Sequence, residues 1–238
     1  MFFSLYLLNQ TVFWIDRILG IKLDNGELNQ ERSKLLQKRF DLYKWVTLLY
    51  LVTNLILVAV FFPGFLVFDV LILTAGMSYS RIFKGLTRYI PMFKNFFVAF
   101  FFVIEIAVIG KLPSASSFLT VYDEVVFLGT ILAQSLIAQS LFDFKDISED
   151  RKLGLKTLPV LFGKKNAVIM IQVLNFGVFI AQIALWGLTK GTYHVMLSLV
   201  SLYNTPFILL SLDASRFKIL YLCEQIPYYF FFFIILAI

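Results

Sequence analysis

Long runs of apolar residues, separated by polar stretches, extend along the whole chain. Most are close to the roughly 20 residues that an α-helix needs to cross the hydrocarbon core of a bilayer. They show no alternation of apolar and polar positions over about 10 residues, which is typical of membrane β-strands. The pattern therefore predicts an all-α, polytopic transmembrane bundle of about eight helices in a single domain, 1–238. The runs lie at 1–19, 42–62, 65–81, 94–110, 118–142, 166–188, 192–212 and 217–238.

Composition supports the membrane assignment. The chain is 60% hydrophobic, with 28 Phe among 238 residues and a mean hydropathy of +0.84, whereas soluble proteins are about 45–50% apolar. One cysteine, Cys223, excludes an intramolecular disulfide and a cysteine-based metal site. One histidine, His194, excludes a His-rich metal site and is expected to be structural or interfacial.

The basic residues alternate between connections. All but two of the 21 Lys and Arg lie in the connections 15–44, 81–94, 143–165 and 213–218, and the other connections hold only Lys111 and Lys190. With eight helices these four connections share one side, and basic loops favour the cytoplasm. We therefore expect a multi-pass protein with cytoplasmic basic loops and both termini on the far side.

The net charge of +6 does not indicate nucleic-acid binding. Orientation in the membrane already requires basic loops. The chain has no soluble basic domain in which aromatic residues interleave with cations to stack on bases.

Several polar residues fall inside apolar runs. Gln172, Asn175 and Gln182 are expected to form interhelical hydrogen bonds. Glu105, in the middle of a run, is either a functional group or a protonated acid bonded to a neighbouring helix. Asp69 lies nearer the end of its run and is expected to face the far interface.

Three carboxylates follow the fifth run, at Asp143, Asp146 and Asp150. If one helix continues through them, they share an arc of about 60°. Magnesium in proteins prefers a few carboxylates completed by water and phosphate oxygens. The stripe therefore fits a magnesium–diphosphate site, with a solvated helix end as the alternative.

The connection 79–95 contains four cations and no acid, namely Arg81, Lys84, Arg88 and Lys94. Arg and Lys suit phosphate oxygens, Arg through its planar fork and Lys as a point charge. The alternative is that these charges only set topology. Carboxylates and cations on one side of a membrane are what a metal-bridged diphosphate needs.

The stretch from Asp143 to Gly163 reads Asp-x-x-Asp-x-x-x-Asp-Arg-x-x-Gly-x-Lys-Thr-Leu-Pro-x-x-x-Gly. It resembles the second aspartate motif of the UbiA superfamily of membrane prenyltransferases. Tyr79-Ser80, with Lys84, Pro91, Lys94 and Asn95, is similar to that family's loop between its fourth and fifth helices. The resemblance extends from residue 1 to about residue 230.

The resemblance implies an enzyme that ionises a polyprenyl diphosphate with Mg²⁺ and transfers the prenyl group. The acceptor would be lipid-soluble, aromatic or a quinone precursor, and the site would open on the cytoplasmic side. Asp146 and Asp150 would be catalytic metal ligands, with Asp143 at the edge of the metal site. The resemblance further implies diphosphate or substrate contacts from Lys84, Lys94, Lys156, Arg151 and Tyr79.

The chain departs from the family in two places. The first aspartate motif has two possible registers, one with Asn9, Phe13 and Asp16 and one with Asp16, Gly20 and Asp24. Both lack the middle carboxylate, although Asp16 and Asp24 remain candidate metal ligands. The bundle also has about eight helices instead of nine, as if the first helix of the family were missing. Two alternatives stay open: a catalytically weakened member that binds a partner, and an unrelated transporter.

Overall fold

The computed structural model describes residues 2–20, 34, 36–110, 121–189 and 191–211. These residues are almost all helical, and they contain no β-strand. A 3₁₀ turn at Pro63–Phe65, a π-helical turn at Tyr79–Phe83 and a helical turn at Lys84–Leu86 join longer elements. The longer helices are α1 (Phe2–Gly20), α2 (Phe40–Phe61), α3 (Leu66–Ser78), α4 (Phe93–Gly110), α5 (Val121–Asp143), α6 (Ile147–Lys152), α7 (Leu158–Thr189) and α8 (Thr192–Leu210).

The apolar runs coincide with these helices, which confirms the predicted all-α class. Seven runs fall on α1 to α5, α7 and α8, while the eighth, 217–238, lies outside the described residues. The sixth run begins later than its helix, because α7 includes the turn from Leu158 that precedes a kink at Gly163. The φ of Gly163 is 76° and its ψ is 158°, a conformation that is essentially restricted to glycine.

Three helices in the described part are long and apolar enough to cross a membrane. They are Phe40–Phe61, Glu124–Asp143 and Leu158–Leu188, and Pro63–Ser78 and His194–Leu210 are shorter apolar helices. Many large apolar side chains on them are exposed, including Ile56, Val173 and Phe176. An outward apolar surface on such helices is what contact with lipid requires.

Residues 1–90 form one compact unit. Within it, α1 packs against α2 and α3. Ser4 Oγ donates a 2.7 Å hydrogen bond to Asn54 Oδ1, and Asn54 Nδ2 donates to Asp69 Oδ2. Asp69 is only 3% exposed. The expectation that it faces the far interface is therefore wrong, because this polar chain joins all three helices in their interior.

Residues 91–238 form a second compact unit. Within it, α5 packs against α4 and α7, and α7 packs against α8. A core of buried apolar side chains lies between these elements and includes the residue that follows α5, Phe144. Its members are Ile137, Leu141, Phe144, Leu158, Ala167, Val168, Ile171 and Ile208.

Polar side chains also join α5, α7 and α8. Asn175 Nδ2 donates to the Ser201 carbonyl oxygen at 2.8 Å, and Gln172 Nε2 contacts Thr205 Oγ1 at 3.4 Å. Gln182 bonds Thr130 at 2.6 Å and accepts from the His194 imidazole at 2.6 Å. These contacts confirm the predicted interhelical hydrogen bonds, and they give His194 a structural role.

Candidate functional site

The helix that leads into the aspartate motif does not continue through its three carboxylates. α5 stops at Asp143, and the amide of Asp146 donates a 3.1 Å hydrogen bond to the Asp143 carbonyl oxygen across a tight turn. The condition for a common arc of the three carboxylates, one helix through all of them, is therefore not met. The turn directs Phe144 into the apolar core, where it is 6% exposed.

The short helix α6 begins after Asp146 and is terminated by Gly154. The amide of Asp150 donates to the Asp146 carbonyl at 2.7 Å, so the two residues lie one turn apart on the same side. At the other end, the amides of Gly154 and Leu155 donate to the carbonyls of Arg151 and Asp150. This pair of bonds is a Schellman motif, which needs a left-handed residue after the helix, and the φ of Gly154 is 70°.

The start of α4 is tied to the segment that follows α6. Met92 adopts a φ of 57°, unusual for a bulky residue, and its amide donates a 2.8 Å hydrogen bond to the carbonyl oxygen of Lys156. Its side chain packs against the apolar core. These contacts fix the backbone two residues before Lys94 and three before Asn95.

Lys94 lies between two carboxylates of the aspartate motif. Its Nζ is 2.7 Å from Asp143 Oδ1 and 2.9 Å from Asp150 Oδ2. Asn95 Nδ2 donates a 2.8 Å hydrogen bond to Asp143 Oδ2. The structure thus brings together three predicted site residues, from α4, from the end of α5 and from α6.

This cluster is shielded from solvent. The side chain of Lys94 is 14% exposed, and those of Asp143 and Asp150 are each 5% exposed. Charges interact more strongly in such surroundings than in bulk water. One ammonium group thus faces two carboxylates within this cluster.

The other predicted residues of this unit are close to Asp143 or Asp150 along the chain. Asp146 occupies the N-cap position of α6 and is half-buried. The side chains of Arg151 and Lys156 are exposed. Among the residues that the structure describes, no group of three His, Cys, Asp or Glu side chains could hold a metal ion.

The remaining predicted residues belong to the first unit. Tyr79 begins the π-helical turn and is half-buried, and Asp16 is half-buried near the end of α1. Lys84 begins the helical turn Lys84–Leu86, with its side chain outside the described part. Asp24 also lies outside the described residues. Phe13, the residue at the middle position of one register, is 39% exposed.

Two features of the site have no clear local signal in the sequence. Asn95 belongs to the loop pattern, but its bond to Asp143 spans 48 positions along the chain and depends on the packing of α4 against α5. The left-handed conformation of Met92 also has no signal of its own in the sequence, although the preceding Pro91 indicates a turn in this region.

Comparison with protein families identifies one match that covers most of the chain. The model of the UbiA prenyltransferase family matches residues 2–218. Neither curated proteins nor solved structures give a match to the chain.

Proposed function

This chain belongs to the UbiA prenyltransferase family, and from that membership we propose that it transfers a prenyl group from a polyprenyl diphosphate. The acceptor is lipid-soluble, of the aromatic or quinone-precursor class. The observation that carries the proposal is the buried cluster in which Lys94 meets Asp143 and Asp150. It holds carboxylates, a group type that binds magnesium, and an ammonium group, a group type that binds phosphate, within one compact unit.

The residues at this cluster fit magnesium held together with a diphosphate. The donor set consists of carboxylate oxygens of Asp146 and Asp150, two residues that lie one helical turn apart. Magnesium prefers such oxygen ligands, commonly one or two carboxylates with substrate phosphates. Asp146 and Asp150 would hold the ion, which when bound would neutralise charge on the diphosphate leaving group.

The chain itself would supply a fixed positive charge. Lys94 presents its ammonium group from a backbone that the hydrogen bond between Met92 and the Lys156 carbonyl oxygen anchors. Preorganised charges of this kind stabilise charge that develops during the reaction. The bond between the allylic carbon and the diphosphate oxygen breaks, and the oxygen keeps the electron pair. The allylic carbon then bonds the acceptor, which loses a proton.

The exposed cations are proposed to act next to this cluster. Arg151 and Lys156 follow Asp150 in the sequence, and their side chains are exposed. For the first unit we propose that Lys84 contributes to diphosphate binding and Tyr79 to the substrate site. Asp16 and Asp24 are proposed as additional metal ligands. The basic loops, and the mouth of the site with them, are assigned to the cytoplasmic side by the positive-inside tendency.

The test is transfer of a labelled prenyl group by the purified chain in lipid nanodiscs. A panel of diphosphate donors of different lengths is combined with a panel of acceptors, in magnesium and in excess chelator. We expect product only with magnesium. Failure of every donor to react would overturn the proposal and favour the alternative of a binding subunit.

A pair of variants tests the site assignment. Asp146→Ala should abolish transfer, because a proposed metal ligand is lost. Glu149→Ala removes another carboxylate from the same short helix and should retain transfer. Full activity of Asp146→Ala would refute the site assignment while leaving the reaction class intact.

A further inference from the structure

The carboxylate of Asp143 already uses both of its oxygens. Oδ1 is 2.7 Å from Lys94 Nζ, and Oδ2 accepts the 2.8 Å hydrogen bond from Asn95 Nδ2. The residue is 3% exposed overall. Both of its partners come from consecutive positions at the start of α4. Asp143 therefore holds that helix end by one ion pair and one hydrogen bond from an uncharged amide.

A metal ion at Asp143 would have to share an oxygen atom with one of these partners or displace it. Loss of the Lys94 contact would weaken the compensation of a largely buried ammonium group, and loss of the Asn95 contact would leave a buried amide without its acceptor. Both changes are unfavourable in surroundings with little solvent. Asp150 gives only Oδ2 to Lys94 in this cluster, and Asp146 is half-buried at the N-cap position of α6. These two are the better placed carboxylates for a cation.

We infer that Asp143 is a positioning residue, which holds Lys94 in place for the diphosphate and does not bind the metal. The inference rests on the proposed function, since it assigns Lys94 to the diphosphate donor. It changes the role predicted for Asp143 at the edge of the metal site. Asn95 shares this positioning role, because its hydrogen bond orients the Asp143 carboxylate toward Lys94.

Separate binding measurements on the full chain distinguish the two roles. Affinity for Mn²⁺ alone, as a magnesium substitute, is measured by electron paramagnetic resonance. Affinity for inorganic diphosphate at saturating magnesium is measured by isothermal titration. Asp143→Asn should leave Mn²⁺ affinity within about twofold. It should weaken diphosphate binding about tenfold, as expected when a charge-assisted contact is lost.

Asp150→Asn is the matched comparison, because it removes the other carboxylate that contacts Lys94. As a proposed metal ligand it should weaken Mn²⁺ binding about tenfold or more. An equal loss of Mn²⁺ affinity in Asp143→Asn would overturn the inference. Absence of diphosphate binding by the unaltered chain would overturn the proposed function as well, so the two failures are distinguishable.

A double-mutant cycle gives the second test. If Asp143 acts through Lys94, Asp143→Asn combined with Lys94→Met should bind diphosphate no more weakly than Lys94→Met alone. Losses that multiply would show independent roles and would contradict the inference.

Asn95→Ala keeps the test decisive if Asp143→Asn fails to fold. It leaves every charge in place and should weaken diphosphate binding a few-fold, with Mn²⁺ affinity unchanged. A reduced Mn²⁺ affinity, or an unchanged diphosphate affinity, would contradict the proposal that Asn95 positions the Asp143 carboxylate.

Discussion

The amide of Met92 and the carbonyl oxygen of Lys156 form a 2.8 Å hydrogen bond that joins the start of α4 to the segment before α7. Met92 holds this position in a left-handed conformation, which costs of order 1–2 kcal/mol for a residue with a side chain. Its side chain packs on the apolar core, which offsets that cost. The backbone just before Lys94 and Asn95 is therefore held in place, and both side chains contact Asp143.

The glycines of the aspartate motif should differ in how far they tolerate alanine. A Cβ atom would meet nothing within 4 Å at Gly154, Gly163 or Gly177, so space does not distinguish the three positions. Gly154 and Gly163 have φ values of 70° and 76°, whereas Gly177 lies in helix α7. We expect Gly154→Ala to cost about 1 kcal/mol and Gly163→Ala about 2 kcal/mol.

Gly177→Ala is the control, and it should be neutral or slightly stabilising because alanine favours a helix. Thermal unfolding of the three variants in one detergent measures the order of their stabilities. Equal stability of all three would show that backbone conformation does not explain the glycines of this motif.

Replacement of Lys94 by methionine should destabilise the second unit. Met keeps most of the apolar volume but leaves Asp143 and Asp150 without their shared cation. Loss of one partner from a buried ion cluster costs about 3–5 kcal/mol. Thermal unfolding should therefore occur at a clearly lower temperature than in the unaltered chain.

Lys152→Met is the matched control, since Lys152 is exposed on α6 and should change stability by about 0.5 kcal/mol or less. Adding Asp143→Asn to Lys94→Met should recover part of the stability, because it removes one uncompensated charge. No recovery would argue against electrostatics as the cause.

The fold follows from the sequence more completely than the site does. An apolar run is a continuous stretch of sequence, and it indicates a segment that is buried in lipid or in the core. Seven predicted runs therefore coincide with helices. The break at Asp143 is set by the burial of Phe144 in a core that distant residues form. The partners of Lys94 are equally non-local, because they depend on which helices pack together. Periodicity could therefore predict that carboxylates and cations lie near one end of the bundle, but not which of them are in contact.

The first unit depends on a close approach between α1 and α3. A Cβ atom at Gly76 would overlap the side chain of Val12, and small residues at such positions let membrane helices pack closely. We expect Gly76→Ala to cost about 1–3 kcal/mol, the usual effect of overpacking. Differential scanning calorimetry in detergent would measure the loss.

Val12→Ala supplies the compensating change. Combined with Gly76→Ala it should restore much of the stability, because it removes the methyl groups that the new side chain meets. If the two losses simply add, the contact between α1 and α3 is not the reason that glycine occupies position 76.

A polar side chain of α5 should stabilise the second unit through α8. Gln134 is 3% exposed; its Nε2 donates to Ser201 Oγ at 2.7 Å, and its Oε1 accepts from Asn204 Nδ2 at 2.6 Å. Gln134→Leu keeps a similar volume but loses both bonds. Interhelical hydrogen bonds in membranes contribute about 0.6 kcal/mol on average and at most about 1.7, so the expected loss is about 1–2 kcal/mol.

Val125→Leu, at an exposed apolar position on the same helix, is the control and should be nearly neutral. Urea or SDS titration of both variants by circular dichroism measures the difference. Because Gln134 bonds two residues of α8, Ser201→Ala combined with Gln134→Leu should cost less than the sum of the single changes. Strict additivity would mean that Gln134 and Ser201 do not stabilise each other, and the contribution of Gln134 would then come from its bond with Asn204 and from packing.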